Sequence, residues 1–322
     1  MIESIERSAL LGAQHPVALF SNGLGDHLLS LPALRAISRL FPRVLTLVCQ
    51  PGARRLFFSD ISLRAVCESG MRIDSGARNF DAYLVSQEVK ECDLLISCNP
   101  WHSVAVDRLL QLLSPGSSIG FFPAFRVCIP LDYGKHAADL AFDIPKYVDP
   151  SLDIAEFSAP PAIVRGADAL ANSICKLLPS SVRILIVHTE TKPEKMWPAD
   201  RFVHTLDAFL GRHGDFVAVV IDFEDRQLDT GRFASRVYPC PGLSLEVKFE
   251  IIRRAHLFLG IDSCMLHAAD LFRISGVGLF ASTNCHEFGF RFSRHVHVVG
   301  KPDMGSIEET HVIDALERLL GD

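Results

Sequence analysis

Apolar residues along this chain arrive in short runs separated by helical patterns, and the two alternate. Residues 17–20 form a continuous apolar run, 21–26 a polar turn with two glycines, and Leu31, Leu34, Ile37 and Phe41 then recur on one helical face. That reads as strand, turn, helix. Residues 44–49 and 93–97 are further buried strands, with 105–113 as a helix, the alternation of a parallel sheet. Residues 123–147 carry no assignable period, and Ser158-Ala159-Pro160-Pro161 breaks the pattern where a crossing between domains is expected. The alternation then restarts: strand over 183–188, helix over 199–210, strand over 216–221, helix over 244–254, strand over 255–261 and strand over 277–280. A final helix is predicted from Ser306, with Glu309 closing a capping box. The fold class is α/β, two doubly wound halves without a short internal repeat.

The chain's 322 residues suit two domains better than one core. Hydrophobic content of 48% and charged content of 22% are those of a water-soluble protein, and no apolar run reaches the roughly 20 residues that span a bilayer. Residues 1–7 carry acids in place of a basic leader, which argues against export and leads to the expectation of a cytoplasmic protein. A formal net charge of -6 argues against nucleic acid as the partner and leaves at most peripheral membrane contact. The nine cysteines include no Cys-x-x-Cys pair and read as reduced, packed thiols.

Polar residues gather where strands give way to helices. Asp262 and Ser263 follow the 255–261 strand and open a helix, whose free N–H groups and positive dipole end suit a diphosphate. His267 lies one turn on and shares a face with Ser263. Asp262 is equally readable as a helix cap, and His267 reads first as a satisfied core residue. Asp26, after Gly23 and Gly25, is either a first-turn acid favoured by the helix dipole or a carboxylate that takes a proton from an attacking hydroxyl. Lys195 can neutralise a leaving pyrophosphate or be a solvated lysine, while Trp197-Pro198 reads as packing and helix start. The loop 281–284 ends a strand on the same carboxyl edge, where ligands of open α/β sheets bind. Leu28 and Leu29 stand where a dinucleotide fingerprint needs its third glycine, which speaks against a nicotinamide-dependent oxidoreductase.

Three stretches occur in a telling order: Gly25-Asp26-His27-Leu28-Leu29-Ser30-Leu31-Pro32-Ala33-Leu34-Arg35-Ala36; His188 through Lys195-Met196-Trp197-Pro198-Ala199-Asp200-Arg201-Phe202; and Leu257-Phe258-Leu259-Gly260-Ile261-Asp262-Ser263-x-x-x-His267. Together they resemble glycosyltransferase family nine, the ADP-heptose:lipopolysaccharide heptosyltransferases and their relatives, over most of the chain. The resemblance implies the GT-B architecture, with two Rossmann-like domains facing a central cleft. Residues 1–160 would form the acceptor domain, 161–305 the nucleotide-sugar domain, and 306–322 a last helix able to pack back on the first domain. It also implies an inverting, metal-independent transfer of a heptose or related sugar from a nucleotide diphosphate, ADP-heptose being one candidate donor. No other cofactor is implied. The acceptor would be a saccharide, a small metabolite or a protein.

By the same resemblance Asp26 is the general base, Thr191 and Lys195 hold the donor phosphates, and Asp262, Ser263 and His267 form the donor turn. Glu224 or Asp225 would lie near the ribose. Departures from the family pattern are Cys264 where glycine is usual, Ala281-Ser282 in place of Gly-Pro, and Glu190 at a position often held by a hydroxyl. They motivate an alternative expectation, a catalytically impaired nucleotide-sugar-binding or partner protein with the same fold.

Overall fold

The computed structural model describes residues 2–74, 77–163, 165–224, 228 and 231–321. The chain forms two compact units, Met1–Ala162 and Ile163–Asp322.

In the first unit the elements run α1 (Ile2–Leu11), β1 (Pro16–Phe20), α2 (Leu24–Leu40), β2 (Thr46–Cys49), α3 (Ala53–Phe57) and β3 (Ala65–Glu68). They continue with the hairpin β4 (Arg72–Asp74) and β5 (Ala77–Asn79), α4 (Ala82–Val89), β6 (Leu94–Ser97), α5 (Val104–Leu113), β7 (Ser117–Gly120), β8 (Val127–Cys128), α6 (Ala137–Val148) and α7 (Ile154–Phe157). Six strands make one sheet in the order β3-β2-β1-β6-β7-β8, every pair parallel. Parallel pairing demands crossovers, and helices cover both faces. Val17, Leu19, Val48 and Leu95, alternate residues on one face, pack with Val85, Val106 and Leu109 of α4 and α5. Ala33 and Ala36 of α2 let α6 and α7 approach closely, with Phe142 and Phe157 against them. The segment expected to cross between domains is fastened here: Arg35 donates to the carbonyls of Phe157 (3.1 Å), Ala159 and Pro160 (2.8 Å).

The second unit repeats the plan with α8 (Ala167–Cys175), β9 (Arg183–His188), α9 (Ala199–Arg212), β10 (Phe216–Val220), β11 (Val237–Pro239), α10 (Leu245–Ile252), β12 (Leu257–Ile261), α11 (Cys264–Leu271), β13 (Gly276–Phe280), α12 (Cys285–Phe288), β14 (His295–Val299) and α13 (Glu309–Gly321). Its sheet order is β11-β10-β9-β12-β13-β14, again wholly parallel. Leu185, Val187, Ala218, Val220, Leu257, Leu259, Val277 and Leu279 present one face to Phe202, Leu206, Phe209, Val312 and Leu316 of α9 and α13. Each Val, Leu and Phe side chain among them contributes about 1.5–3 kcal/mol by leaving water. On the other face α8, α10 and α11 pack together.

The C-terminal capping box does not form as the spacing suggests. Asp303 accepts from the Ser306 N–H (3.2 Å) and caps a 3₁₀ turn over Met304–Ser306, and Ser306 Oγ donates to the Asp303 carbonyl at 2.6 Å. Helix α13 therefore starts at Glu309, whose carboxylate meets Arg201 of α9 at 3.1 Å. The packing described for α13 is with α9, β13 and β14 of its own unit. The nine cysteines are all free thiols, but the expectation that they are packed holds only in part: Cys49, Cys67, Cys98 and Cys285 are buried, whereas Cys128 is exposed. Among the described residues no helix is long and apolar enough to cross a membrane.

Candidate functional site

Because every strand of a sheet is parallel, all carboxyl ends emerge on one edge, and the loops there share it. In the first unit β1 ends at Phe20 and α2 begins at Leu24, so Ser21, Asn22 and Gly23 make the turn. Asp26 is the third residue of α2, and its Oδ2 accepts from the Gly23 N–H at 3.2 Å. It is thus a helix cap in this structure, half-buried, with its carboxylate at the sheet edge. Neither Gly23, at φ -63, nor Gly25, inside α2, uses a left-handed backbone. What Gly23 supplies is room, since a Cβ there would lie 3.2 Å from Asp26 Oδ2.

His27 turns the other way, into the core. It is 0% exposed, sits against the rings of Phe20, Phe57 and Phe58, and places Nδ1 2.7 Å from the Gly23 carbonyl. Burial lowers its pKa to about 4, against the opposing pull of the Gly23 carbonyl, so the ring is neutral and Nδ1–H donates. A basic group depressed on folding adds stability in full above its unfolded pKa near 6.5, and loses it as pH falls toward 4. Unfolding in urea at a series of pH values should therefore reveal a loss of about 3 kcal/mol across that window. The slope should flatten in His27→Gln, and an unchanged slope would assign the acid sensitivity elsewhere.

In the second unit the chemistry gathers after β9, β10, β12 and β13. Asp262 follows β12 and is 5% exposed. Its Oδ2 accepts from Lys195 Nζ at 2.5 Å and from Thr283 Oγ1 at 2.8 Å, and its Oδ1 lies 3.7 Å from His267 Nε2. Lys195 comes from the 3₁₀ turn Pro193–Lys195 after β9, Thr283 from the loop after β13, and His267 from α11. Three segments thus converge on one carboxylate. Ser263, in extended geometry (φ -162, ψ 170), is the cap residue of α11, and its buried Oγ has no hydrogen-bond partner. The first N–H groups of α11 are open to an anion at that point.

Asp222 does for β9 and β10 what Asp262 does for β12 and β13. It accepts from the Thr189 N–H (2.8 Å) and Thr189 Oγ1 (2.5 Å), and His188 Nδ1 lies 2.9 Å from its Oδ1. Burial pushes its carboxyl up, but His188 and Thr189 outweigh that and hold it below the usual carboxylate range. Glu190 accepts from the N–H groups of Phe223 (2.7 Å) and Glu224 (3.0 Å). Its charge is therefore engaged by the backbone of the loop after β10. Burial pushes the Cys264 thiol up to about 11, so the side chain at the usual glycine position adds bulk and no charge.

Of the residues singled out from sequence, Lys195, Asp262, Ser263 and His267 come together at one edge. Thr191 is half-buried four residues before Lys195, and Glu224 is exposed after β10. Asp225 lies outside the described residues. Asp26 belongs to the other unit. Trp197 is core, 2% exposed, its Nε1 donating to the Ile307 carbonyl at 3.2 Å, as the packing reading expected. Thr283 falls in the loop 281–284 expected on this edge, whereas Thr189, Asp222 and Lys248 were not anticipated, although the edge rule applied to residue 222 would have found Asp222. Among the described residues no group of three His, Cys, Asp or Glu side chains is arranged to hold a metal ion.

Two six-stranded parallel sheets of this order, each with polar turns on its carboxyl edge, define a GT-B fold, and solved structures share it. A glycosyltransferase family 9 protein from Veillonella parvula superposes with a TM-score of 0.78 at 19% identity, over 97% of this chain and 98% of the other. E. coli heptosyltransferase WaaC with ADP gives 0.67 at 13% identity, over 95% and 99%. E. coli ADP-heptose lps heptosyltransferase II gives 0.68 at 12%, over 95% and 98%. A comparison with curated protein sequences gives no match. The family description "Glycosyltransferase family 9 (heptosyltransferase)" matches residues 141–317, more than half of the chain. The chain belongs to that family and is a glycosyltransferase.

Proposed function

We propose that the protein is an inverting glycosyltransferase that moves a heptose or related sugar from a nucleoside diphosphate to an acceptor hydroxyl. The observation that carries this reading is the convergence of Lys195, Thr283 and His267 on Asp262 beside the open start of α11. An ammonium has three N–H donors, and Asp262 takes one of those of Lys195. The rest can meet a phosphate, and Ser263 Oγ has no protein partner to give up.

Asp26 is the base. As the acceptor oxygen bonds to the anomeric carbon, its proton passes to the Asp26 carboxylate, and the bond from that carbon to the diphosphate oxygen breaks with its electron pair on the phosphate. Lys195 and the α11 amides stabilise the charge that develops there. Attack opposite the leaving group inverts the anomeric centre. Thr191 is assigned to the phosphates and Glu224 to the ribose. The relatives' structures with ADP and with ADP-2-deoxy-2-fluoro heptose support a nucleotide donor, ADP-heptose foremost. The acceptor is assigned as a saccharide, and the activity to the cytoplasm.

The test is calorimetry with ADP, GDP and UDP and their sugars. At least one nucleoside diphosphate should bind below millimolar concentration, and Lys195→Ala should weaken it about ten- to a hundredfold, the loss of one hydrogen bond to a charged group. Should none bind at millimolar concentration, the donor assignment fails. Transfer of a sugar from any donor would separate an enzyme from a binding protein of the same fold.

A further inference from the structure

Helix α10 returns from the end of β11 to the start of β12, so its first turn lies at the carboxyl edge of the sheet. Helical side chains lean toward the helix start, which aims Lys248 at that edge. Lys248 is 0% exposed, its Nζ has no hydrogen-bond partner, and the ammonium sits 3.4 Å from the centroid of the Phe223 ring. A buried ammonium without an acceptor is costly, and the ring face repays part of that cost. Burial lowers the Lys248 pKa, while the Asp222 and Glu190 carboxylates pull it back up.

Phe223 is the other half of the pair. It follows Asp222 in the loop after β10, yet 49% of it is exposed. An exposed phenylalanine ordinarily moves freely, but this one is fastened at three points. Glu190 holds its N–H and that of Glu224, Lys248 lies under its inner face, and the His188 ring meets it edge-on at 6.4 Å and 77°. With Lys248 over one face and 49% of the residue exposed, the opposite face is the one available to a ligand on this edge of the sheet. A cation beneath one face draws π density through the ring, so the other face suits an electron-rich heteroaromatic ring.

We propose that Phe223 is the stacking platform for the nucleobase of the donor, a purine, and that Lys248 is the positioning residue that fixes its orientation. The proposal rests on the nucleotide-sugar reading above. Purines offer the larger and more electron-rich face, so ADP or GDP should bind more tightly than UDP.

The experiment compares wild type, Phe223→Ala, Phe223→Trp, Lys248→Met and the Phe223→Ala/Lys248→Met double variant by calorimetry with ADP and with inorganic pyrophosphate. Phe223→Ala should weaken ADP about tenfold, the effect of losing one base–aromatic stack, and leave pyrophosphate unchanged. Lys248→Met should weaken ADP severalfold, and the double variant should be no weaker than Phe223→Ala, because the lysine acts through the ring. Phe223→Trp should keep ADP affinity, and the indole fluorescence it adds to that of the two native tryptophans should be quenched by ADP and unaffected by pyrophosphate. Wild-type affinity for ADP in Phe223→Ala, or equal losses of ADP and pyrophosphate, would overturn the platform and leave the donor reading standing. Failure of the wild type to bind any nucleoside diphosphate would overturn both.

Discussion

Asp26→Asn should lower the transfer rate by about a hundredfold to ten-thousandfold, the usual worth of a positioned general base, with donor affinity unchanged. The substitution separates the two roles this residue can have. Asparagine keeps a side-chain oxygen able to accept from the Gly23 N–H, so the helix start that Asp26 now caps should survive. What it cannot do is take a proton. Steady-state kinetics beside calorimetry on the same preparation therefore give a clean split: a fallen kcat with an intact donor Kd assigns the base. Transfer at the wild-type rate would make Asp26 a cap and nothing more.

The second large effect is on stability. Asp270, near the end of α11, is 2% exposed and accepts from three backbone N–H groups, those of Arg291 (2.9 Å), Phe292 (2.8 Å) and Ser293 (2.8 Å). One carboxylate thereby satisfies three consecutive N–H groups of the turn that leads into β14. Asp270→Ala should cost about 4 kcal/mol, since three donors lose a charged acceptor at once and little water can replace it. Against a typical total of about 5–15 kcal/mol this brings the protein near its unfolding threshold. Asp303→Ala, which removes the exposed cap of the Met304–Ser306 turn, is the control and should cost about 1 kcal/mol. Equal urea midpoints for the two variants would contradict the account.

How much of this was legible in the sequence divides along physical lines. Strands buried on both faces, such as β1, β9, β10 and β12, announce themselves as continuous apolar runs, and the helices that follow β1 and β9 show their period directly. Edge strands do not. β3 has exposed positions at Ala65 and Glu68, β14 alternates histidine with valine, and β8 is two residues long, so none has the composition that marks a strand. Helix α6 was lost within a stretch with prolines at 123, 130 and 145, although Pro145 lies inside the helix itself. At the site, the Asp262 turn could be read because strand, acid and helix start are contiguous. Its contacts with Lys195 and Thr283 could not: Lys195 is 67 residues away in the chain and Thr283 is 21, and only the parallel sheet brings them together. Lys248 was invisible for a different reason, because a lone lysine in a helix reads as surface until burial is known.

The carboxylate at position 190 ties the backbone of one loop to the strand beside it, and this bears on exchanging parts between relatives. A chimera that received residues 222–224 from a homologue carrying a hydroxyl at the equivalent of 190 would inherit a segment shaped for an anchor of another length. Donor preference along this margin should therefore be transplanted in matched pairs, with the graft and its tether moved together.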